Sequence, residues 1–394
     1  MKIKDDIKTK EFVKLNINTD PSELALKKNK YPDIDMDFVL RELSSRKKLS
    51  IKMPNWAENF ELIMPGSTNI EQSSSFLTAK FKAEFFEYNN SLDLTAGFGI
   101  DSYYLASKSN NHICVEPSHD LVKILNHNFS TLGICNTAFI SSSAESFLKR
   151  NTNQFDLIYI DPSRRDNNGS KKIRLQEYSP DVVELFKSLK EACNQLLIKI
   201  SPMIDLTFIE RIFPELSKIF VLSVNNECKE ILLYFNFLSL HKNIHYHAVE
   251  LGKHSFRHIF EKDEKLVIIE GFPDDYIYDV HPAITKSGFS DNYAMSFGLS
   301  KIGRNTNLYT SDTYIHNFSG KVYRLIDSVK PETKEIAKVL PDMSAIVIRK
   351  DFPLKVENIR EKYKLKEGSK HVIFAVKLLD AKNRFLICER MLDS

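Results

Sequence analysis

The sequence predicts an α/β protein: a central doubly wound, mostly parallel sheet, preceded by a helical segment and followed by an α+β part. Three observations carry this expectation. Short apolar runs alternate with helix-length stretches from residue 91 to about 240, a Gly-x-Gly turn follows the first run, and the residues before 85 show helical spacing. Strands that alternate with helices of this length form right-handed βαβ units, with a parallel sheet covered on both faces.

In residues 1–85, Pro21-Ser22-Glu23-Leu24-Ala25-Leu26 opens with a proline suited to a helix N-terminus, and Asp35–Lys48 carries apolar residues at helical intervals. Ser73–Phe86 starts on cap-type serines and leads into the first strand. The strand candidates are SLDLTA, HICVE, TAFIS, DLIYID, QLLIKIS, KIFVLSV and EILLYFNFL. Between them lie helices expected near Asp101–Ser107, Ser118–Leu132, Ala144–Lys149, Pro180–Cys193 and Leu206–Phe213. Only Asn225-Asn226-Glu227 separates the last two strands, too few residues for a parallel crossover, so they should form an antiparallel hairpin.

Beyond residue 240 the pattern is α+β. It predicts strands near His245–Leu251 and Lys265–Glu270, a helix near Asp279–Phe297, and strands at Leu308–Thr310 and Gly320–Ser328. A compact last unit follows: helix Pro331–Leu340, strand Ser344–Arg349, helix Lys355–Tyr363, and strands His371–Leu379 and Arg384–Arg390.

At 394 residues the chain should divide into two or three domains. Its 42% hydrophobic and 27% charged residues are those of a soluble globular protein. MKIKDDIKTKEF has no apolar core for a signal peptide and no long apolar run follows, so a cytoplasmic protein without membrane spans is expected. Cys114, Cys135, Cys193, Cys228 and Cys388 are scattered without CxxC or histidine partners, which predicts reduced thiols and no metal site. A net charge of +3 is too small to demand a polyanionic partner. Locally, Arg164, Arg165, Lys171, Lys172 and Arg174 crowd one segment, which is either a solvated loop or a phosphate-binding surface.

Candidate chemistry gathers at four strand ends. In Asp93-Leu94-Thr95-Ala96-Gly97-Phe98-Gly99-Ile100-Asp101 the glycines allow close backbone approach to a ligand at a strand-to-helix turn, although tight turns use the same residues. Glu116, followed by Pro117, ends the second strand, where a carboxylate can accept ribose hydroxyls. Ala144-Glu145 follows the third strand, and Asp161-Pro162-Ser163-Arg164-Arg165 leaves the fourth. Ligands of open α/β sheets bind at such carboxyl ends.

DLTAGFGID resembles the first motif of class I S-adenosylmethionine methyltransferases, Glu116 their ribose-binding acid and DPSRR their fourth, catalytic motif. The stretch NIEQSSSFLTAKFKAEF, DPSRRD and the C-terminal unit are similar to bacterial methyltransferases with a THUMP-like domain. The resemblance implies a Rossmann-like seven-stranded sheet at 86–240, a helical region at 1–85, a ferredoxin-like domain at 241–330 and a THUMP-like domain at 331–394. It also implies S-adenosylmethionine as cofactor, bordered by Asp93, Thr95, Ala96, Gly97, Phe98, Gly99, Asp101, Glu116, Pro117, Ala144 and Glu145. Gln72, Ser73 and Ser74 would cover the cofactor or merely cap a helix. A dinucleotide fold wants a third glycine where Ile100-Asp101-Ser102 stands, and Asp93 and Asp101 would repel a pyrophosphate but tolerate a sulfonium.

Related enzymes hold a planar amine with Asp/Asn-Pro-Pro-aromatic; here Ser163 replaces the second proline, and Arg164 and Arg165 stand where the aromatic would be. Carbon methylation through a cysteine at the end of the fifth strand is disfavoured, because that strand ends Lys199-Ile200-Ser201-Pro202. The expectation is methylation of a base nitrogen or exocyclic amine of structured RNA, tRNA or rRNA. Asp161 would orient the acceptor or take its proton, and Arg164 and Arg165 would contact phosphate or carbonyl oxygen. Arg349, Lys350, Arg360, Lys362, Lys364 and Lys366 add basic residues to the last domain. Alternatives are a cofactor-binding assembly scaffold without turnover, and a protein or small-molecule methyltransferase.

Overall fold

The computed structural model describes residues 7–163, 175–239, 243–262 and 268–391. The chain divides into two compact units, Met1–Ile219 with Glu230–Lys242, and Phe220–Lys229 with Asn243–Ser394.

The first unit opens with helices α1 (Ile7–Leu15), α2 (Pro21–Leu26), α3 (Met36–Lys52), α4 (Pro54–Glu58), α5 (Ser67–Gln72) and α6 (Phe76–Phe85). Asp35 caps α3 by accepting the Phe38 N–H at 3.1 Å, and Ser75 caps α6 through the Thr78 N–H at 3.4 Å. On α3, Glu42 and Arg46 are buried one turn apart and order the segment that follows. Arg46 donates Nη1 to the carbonyls of Ala57 (2.9 Å) and Asn59 (3.0 Å) and Nη2 to that of Leu62 (2.7 Å). Glu42 accepts the Met64 N–H at 2.8 Å.

The sheet follows, with most of β6 and the start of β7 belonging to the second unit: β1 (Asn90–Asp93), α7 (Ile100–Lys108), β2 (Asn111–Glu116), α8 (His119–Thr131), β3 (Thr137–Ser141), α9 (Ala144–Arg150), β4 (Phe155–Ile160), α10 (Val182–Ala192), β5 (Cys193–Ile200), α11 (Leu206–Ile212), β6 (Lys218–Val224) and β7 (Glu227–Asn236). Strand order in this unit is β3-β2-β1-β4-β5-β7, parallel through β5, with β7 antiparallel to β5. The chain winds outward from β1 to β3 and then restarts at β4 on the other side of β1. The carboxyl ends of β1 and β4 therefore flank the crevice where order reverses. β6 and β7 form the expected hairpin, with Asn225 (φ 54) and Asn226 (φ 61) both in the left-handed region that such two-residue turns require. One expectation needs correction: Cys193 is not helical but opens β5, far from that strand's carboxyl end.

In the second unit β8 (His245–Leu251) pairs antiparallel with β9 (Phe256–Phe260). A further sheet comprises β10 (Tyr276–Val280), β11 (Ser300–Lys301), β12 (Leu308–Ser311), β13 (Gly320–Val329), β14 (Ile346–Lys350), β15 (His371–Lys377) and β16 (Asn383–Arg390), in the order β11-β12-β10-β13-β16-β15-β14. Helices α12 (Pro282–Ser287), α13 (Ser290–Met295), α14 (Thr333–Val339) and α15 (Val356–Tyr363) complete it. Period-two alternation feeds two cores: Ile373, Ala375, Phe385 and Ile387 pack with residues of α14 and α15, while Val372, Phe374, Leu386 and Cys388 pack with Ile277 and Tyr323.

The single helix expected at Asp279–Phe297 is instead the end of β10 and two short helices, because Pro282 starts a new helix and Gly288 (φ 87) ends it. Of the strand expected at Lys265–Glu270, residues 265–267 lie outside the described residues, and Glu270 makes only an isolated bridge to Lys301. β9 escaped the sequence reading because its side chains alternate between half-buried and exposed without an apolar run. Among the described residues no helix is long and apolar enough to cross a membrane.

Candidate active site

The Gly-x-Gly turn is built by its neighbours. Asp93, at the end of β1, accepts the Thr95 N–H at 2.9 Å and the Ser102 hydroxyl at 2.6 Å, tying the loop to the first turn of α7. Gly99 (φ 86) packs against α8, where a Cβ would overlap Leu125 and stand 3.0 Å from Phe129. Gly97 (φ 54) is different: a Cβ there would meet nothing nearer than the Thr95 carbonyl at 3.8 Å, so its face is open. Gly99 is thus the packing glycine and Gly97 the one that a ligand can approach.

Glu116 lies beside this turn, with Oε2 accepting the Gly97 N–H at 3.1 Å and Oε1 the Ser118 N–H at 2.8 Å. Thr95 Oγ1 accepts the Asp161 N–H at 2.7 Å, so the ends of β1, β2 and β4 are locked together. Pro117 and Glu145 are exposed at the same edge, whereas Ala144 is buried at the start of α9. Ala96 and Phe98 are also buried; the Phe98 ring packs edge-on to Trp56 at 5.5 Å, so Phe98 serves the core. Pro162 is buried and Ser163 exposed, its backbone paired with Ser179. Arg164, Arg165 and the rest of the basic segment lie outside the described residues.

Of the serine stretch, Gln72 is exposed, Ser73 half-buried and Ser74 buried. The Ser74 hydroxyl donates to Asp101 Oδ2 at 2.8 Å and accepts from Lys82 Nζ at 2.9 Å. Lys82, fully buried on α6, also reaches Asp101 Oδ1 at 2.9 Å and Glu230 Oε1 at 2.7 Å. The Tyr159 hydroxyl donates to Asp101 Oδ2 at 2.9 Å. Lys199 Nζ lies 2.5 Å from Asp161 Oδ2 and 3.4 Å from Ser74 Oγ. Sequence reading missed Lys82, Lys199, Glu230 and Tyr159, although a charge inside the apolar run QLLIKIS was a signal for Lys199.

Burial pushes the Asp93 carboxyl up to about 7, against the opposing hydrogen bonds from Ser102 and Thr95. Burial also raises Glu116. Burial alone would raise Asp101, but Lys82 and Lys199 outweigh it and hold that carboxyl below the usual range. Burial works against the Lys199 charge, yet Asp161, Glu230 and Asp101 outweigh it and hold the ammonium above the usual lysine range. Lys52, at the end of α3, is lowered to about 8 by burial and by the Lys199 charge, and donates to the Glu71 carbonyl at 2.6 Å.

These contacts alter the charge argument. Asp101 is not a bare anion facing a ligand; Lys82 neutralises it. Five carboxyl groups (Asp93, Asp101, Glu116, Asp161, Glu230) still share this edge with three lysines, Lys52, Lys82 and Lys199, a balance that suits a cationic ligand better than a pyrophosphate. Cys193 is remote and inert, its thiol pushed up to about 12 by burial.

Strand order, the glycine turn of β1 and the acid ending β2 together define the methyltransferase fold. Residues 72–179 match the family described as conserved hypothetical protein 95, residues 276–318 a ferredoxin-like domain, and residues 320–390 a THUMP domain-like family. A solved structure from Porphyromonas gingivalis W83, described as a "putative methyltransferase", is similar over 98% of each chain, with 26% identity and a TM-score of 0.85. An uncharacterized RNA methyltransferase of Mycoplasma mobile is 34% identical over 109 residues, 27% of each chain, so the match spans about a quarter of that relative's length. The chain is a methyltransferase-fold protein with ferredoxin-like and THUMP-like domains at its C-terminal end.

Proposed function

We propose that the protein transfers a methyl group from S-adenosylmethionine to a ring nitrogen or exocyclic amine of structured RNA, tRNA or rRNA. The observation that carries this reading is the joining of three strand ends at one point, where Glu116 holds Gly97 and Thr95 holds Asp161. The open face of Gly97 and the surplus of carboxyl groups fit the cofactor, which when bound would supply a methyl group on a sulfonium. Gly97 and the Thr95–Gly99 loop would take its amino-acid end, Glu116 its ribose, and the residues around Ala144-Glu145 would border its adenine. Asp161 would orient the acceptor, since methyl transfer depends chiefly on alignment.

RNA as substrate is supported by the Mycoplasma mobile relative and the THUMP domain-like match. Within the last domain Lys362, Lys364 and Lys366 are exposed, whereas Lys350 pairs with Asp279 at 2.7 Å, and Arg349 and Arg360 donate to the carbonyls of Phe352 and Ala345. Of these six, the first three are the exposed side chains that can meet phosphate.

The test is tritium transfer from labelled S-adenosylmethionine into total RNA from a strain lacking this gene, with protein extract in parallel. Label in one RNA species is the expected result. Label only in protein would assign a protein methyltransferase, and no label despite calorimetric binding of the cofactor would assign a scaffold.

A further inference from the structure

We infer that Lys199 is the positioning residue of the site, fixing Asp161 as an oriented hydrogen-bond acceptor for the N–H of the group to be methylated; this rests on the methyltransferase reading above. Register places the two side by side. Ile160 on β4 pairs with Ile198 on β5, so Asp161 and Lys199 are the next residues of neighbouring parallel strands, level at the carboxyl edge. Lys199 Nζ holds Asp161 Oδ2 at 2.5 Å, while Asp161 Oδ1 has no hydrogen-bond partner among the described residues and the side chain is 28% exposed. One carboxylate oxygen is thereby fixed from within and the other left to accept from outside. The main chain is fixed too, through the Asp161 N–H and Thr95.

Burial raises the Asp161 carboxyl above its usual range and the Lys199 ammonium opposes that rise, so the pairing favours the carboxylate as an oriented acceptor over its protonated form. The other groups that act on Asp161 are Asp101 on α7, Lys82 on α6, Asp93 at the end of β1 and Tyr159 on β4. Lys52 on α3 and Glu230 on β7 act on Lys199 itself. Among these, only Lys199 has its charged atom on the Asp161 carboxylate. Ser74, touching both Lys199 and Lys82, links the pair to the helical region that precedes the sheet.

The experiment is a carbon-13 titration of the Asp161 carboxyl, assigned with Asp161→Asn, in the parent and in Lys199→Met. Expected in Lys199→Met is an upward shift of the Asp161 midpoint by about one unit or more. The kcat should fall at least about tenfold, with the S-adenosylmethionine Kd within about threefold of the parent, and Lys199→Arg should recover part of the loss. An unchanged midpoint, or an unchanged kcat, overturns the inference. Should Lys199→Met fail to fold, the Lys199 ammonium protons of the parent decide. Slow solvent exchange that is lost in Asp161→Asn supports the pair, and fast exchange in the parent overturns it. If the parent methylates nothing, the proposed function falls, while the titration still decides whether Lys199 governs Asp161.

Discussion

Lys82 Nζ and Glu230 Oε1 meet at 2.7 Å across 148 positions of sequence, in the same buried cluster where Lys82 also holds Asp101. One ammonium thus serves two carboxylates away from water. Removing it leaves both without an ammonium in direct contact, with Lys199 acting on them only from nearby, a costly way to break a buried cluster. Lys82→Met should lower unfolding free energy by about 3–5 kcal/mol in denaturant titrations. A loss below about 1 kcal/mol, the scale of an exposed pair, would show that Lys82 does not hold both acids in solution.

Asp93 predicts a pH dependence. Its carboxyl titrates near 7 in the folded chain, raised by burial from the usual 3.8, so the folded state binds this proton more tightly than the unfolded one. Its contribution is therefore fully present below about pH 4 and is lost as pH rises toward 7, by of order 4 kcal/mol at most. Asp93→Asn keeps the acceptor for the Thr95 N–H and removes the titration. Its stability should be flatter than the parent's between pH 4 and 7, measured by urea unfolding at each pH; parallel curves would refute this.

The two glycines of the turn should separate stability from ligand binding. Gly99→Ala places a methyl group against Leu125 and Phe129 at φ 86 and should cost about 2 kcal/mol or more by thermal melting. Gly97→Ala meets open space and should cost about 1 kcal/mol for its left-handed backbone, yet weaken cofactor binding at least tenfold by calorimetry. Normal binding by Gly97→Ala would mean that the ligand does not approach that face.

Cys193→Ala should leave methyl transfer within about twofold of the parent in the tritium assay, because the thiol sits at the opposite end of β5 from Lys199 and is held protonated. A hundredfold loss in a folded variant would revive a cysteine adduct.

The sheet was legible because its signals are local: each strand is an apolar run bounded by turn residues, and Asn225-Asn226 announces its hairpin. The acids at the strand ends were legible for the same reason. Lys82 and Glu230 were not, because each looks ordinary within its own segment; Lys199 stood out only as a charge inside an apolar run, and all three acquire their partners only when separate elements pack. Lys82 sits among Thr78, Ala79 and Ala83, the buried face of α6, and that was the one local hint of its burial. Asp101 was misread for the same reason: its charge was visible in the sequence, its neutralising lysine was not. The second unit misled where Pro282 and Gly288 cut one apparent helix into two.

Arg46, Glu42 and Asn128 share a habit with a wider consequence. Asn128 accepts the Ile63 N–H and donates to the Ile63 carbonyl, both at 2.9 Å, just as Arg46 and Glu42, besides pairing with each other at 3.0 Å, bind carbonyls and an amide between Ala57 and Met64. All three side chains grip main-chain atoms, which every residue type offers alike. They measure the length of that stretch and are indifferent to its spelling. Apolar exchanges at Leu62, Ile63 or Met64 leave each of these bonds in place, whereas one inserted residue would throw several out of step at once.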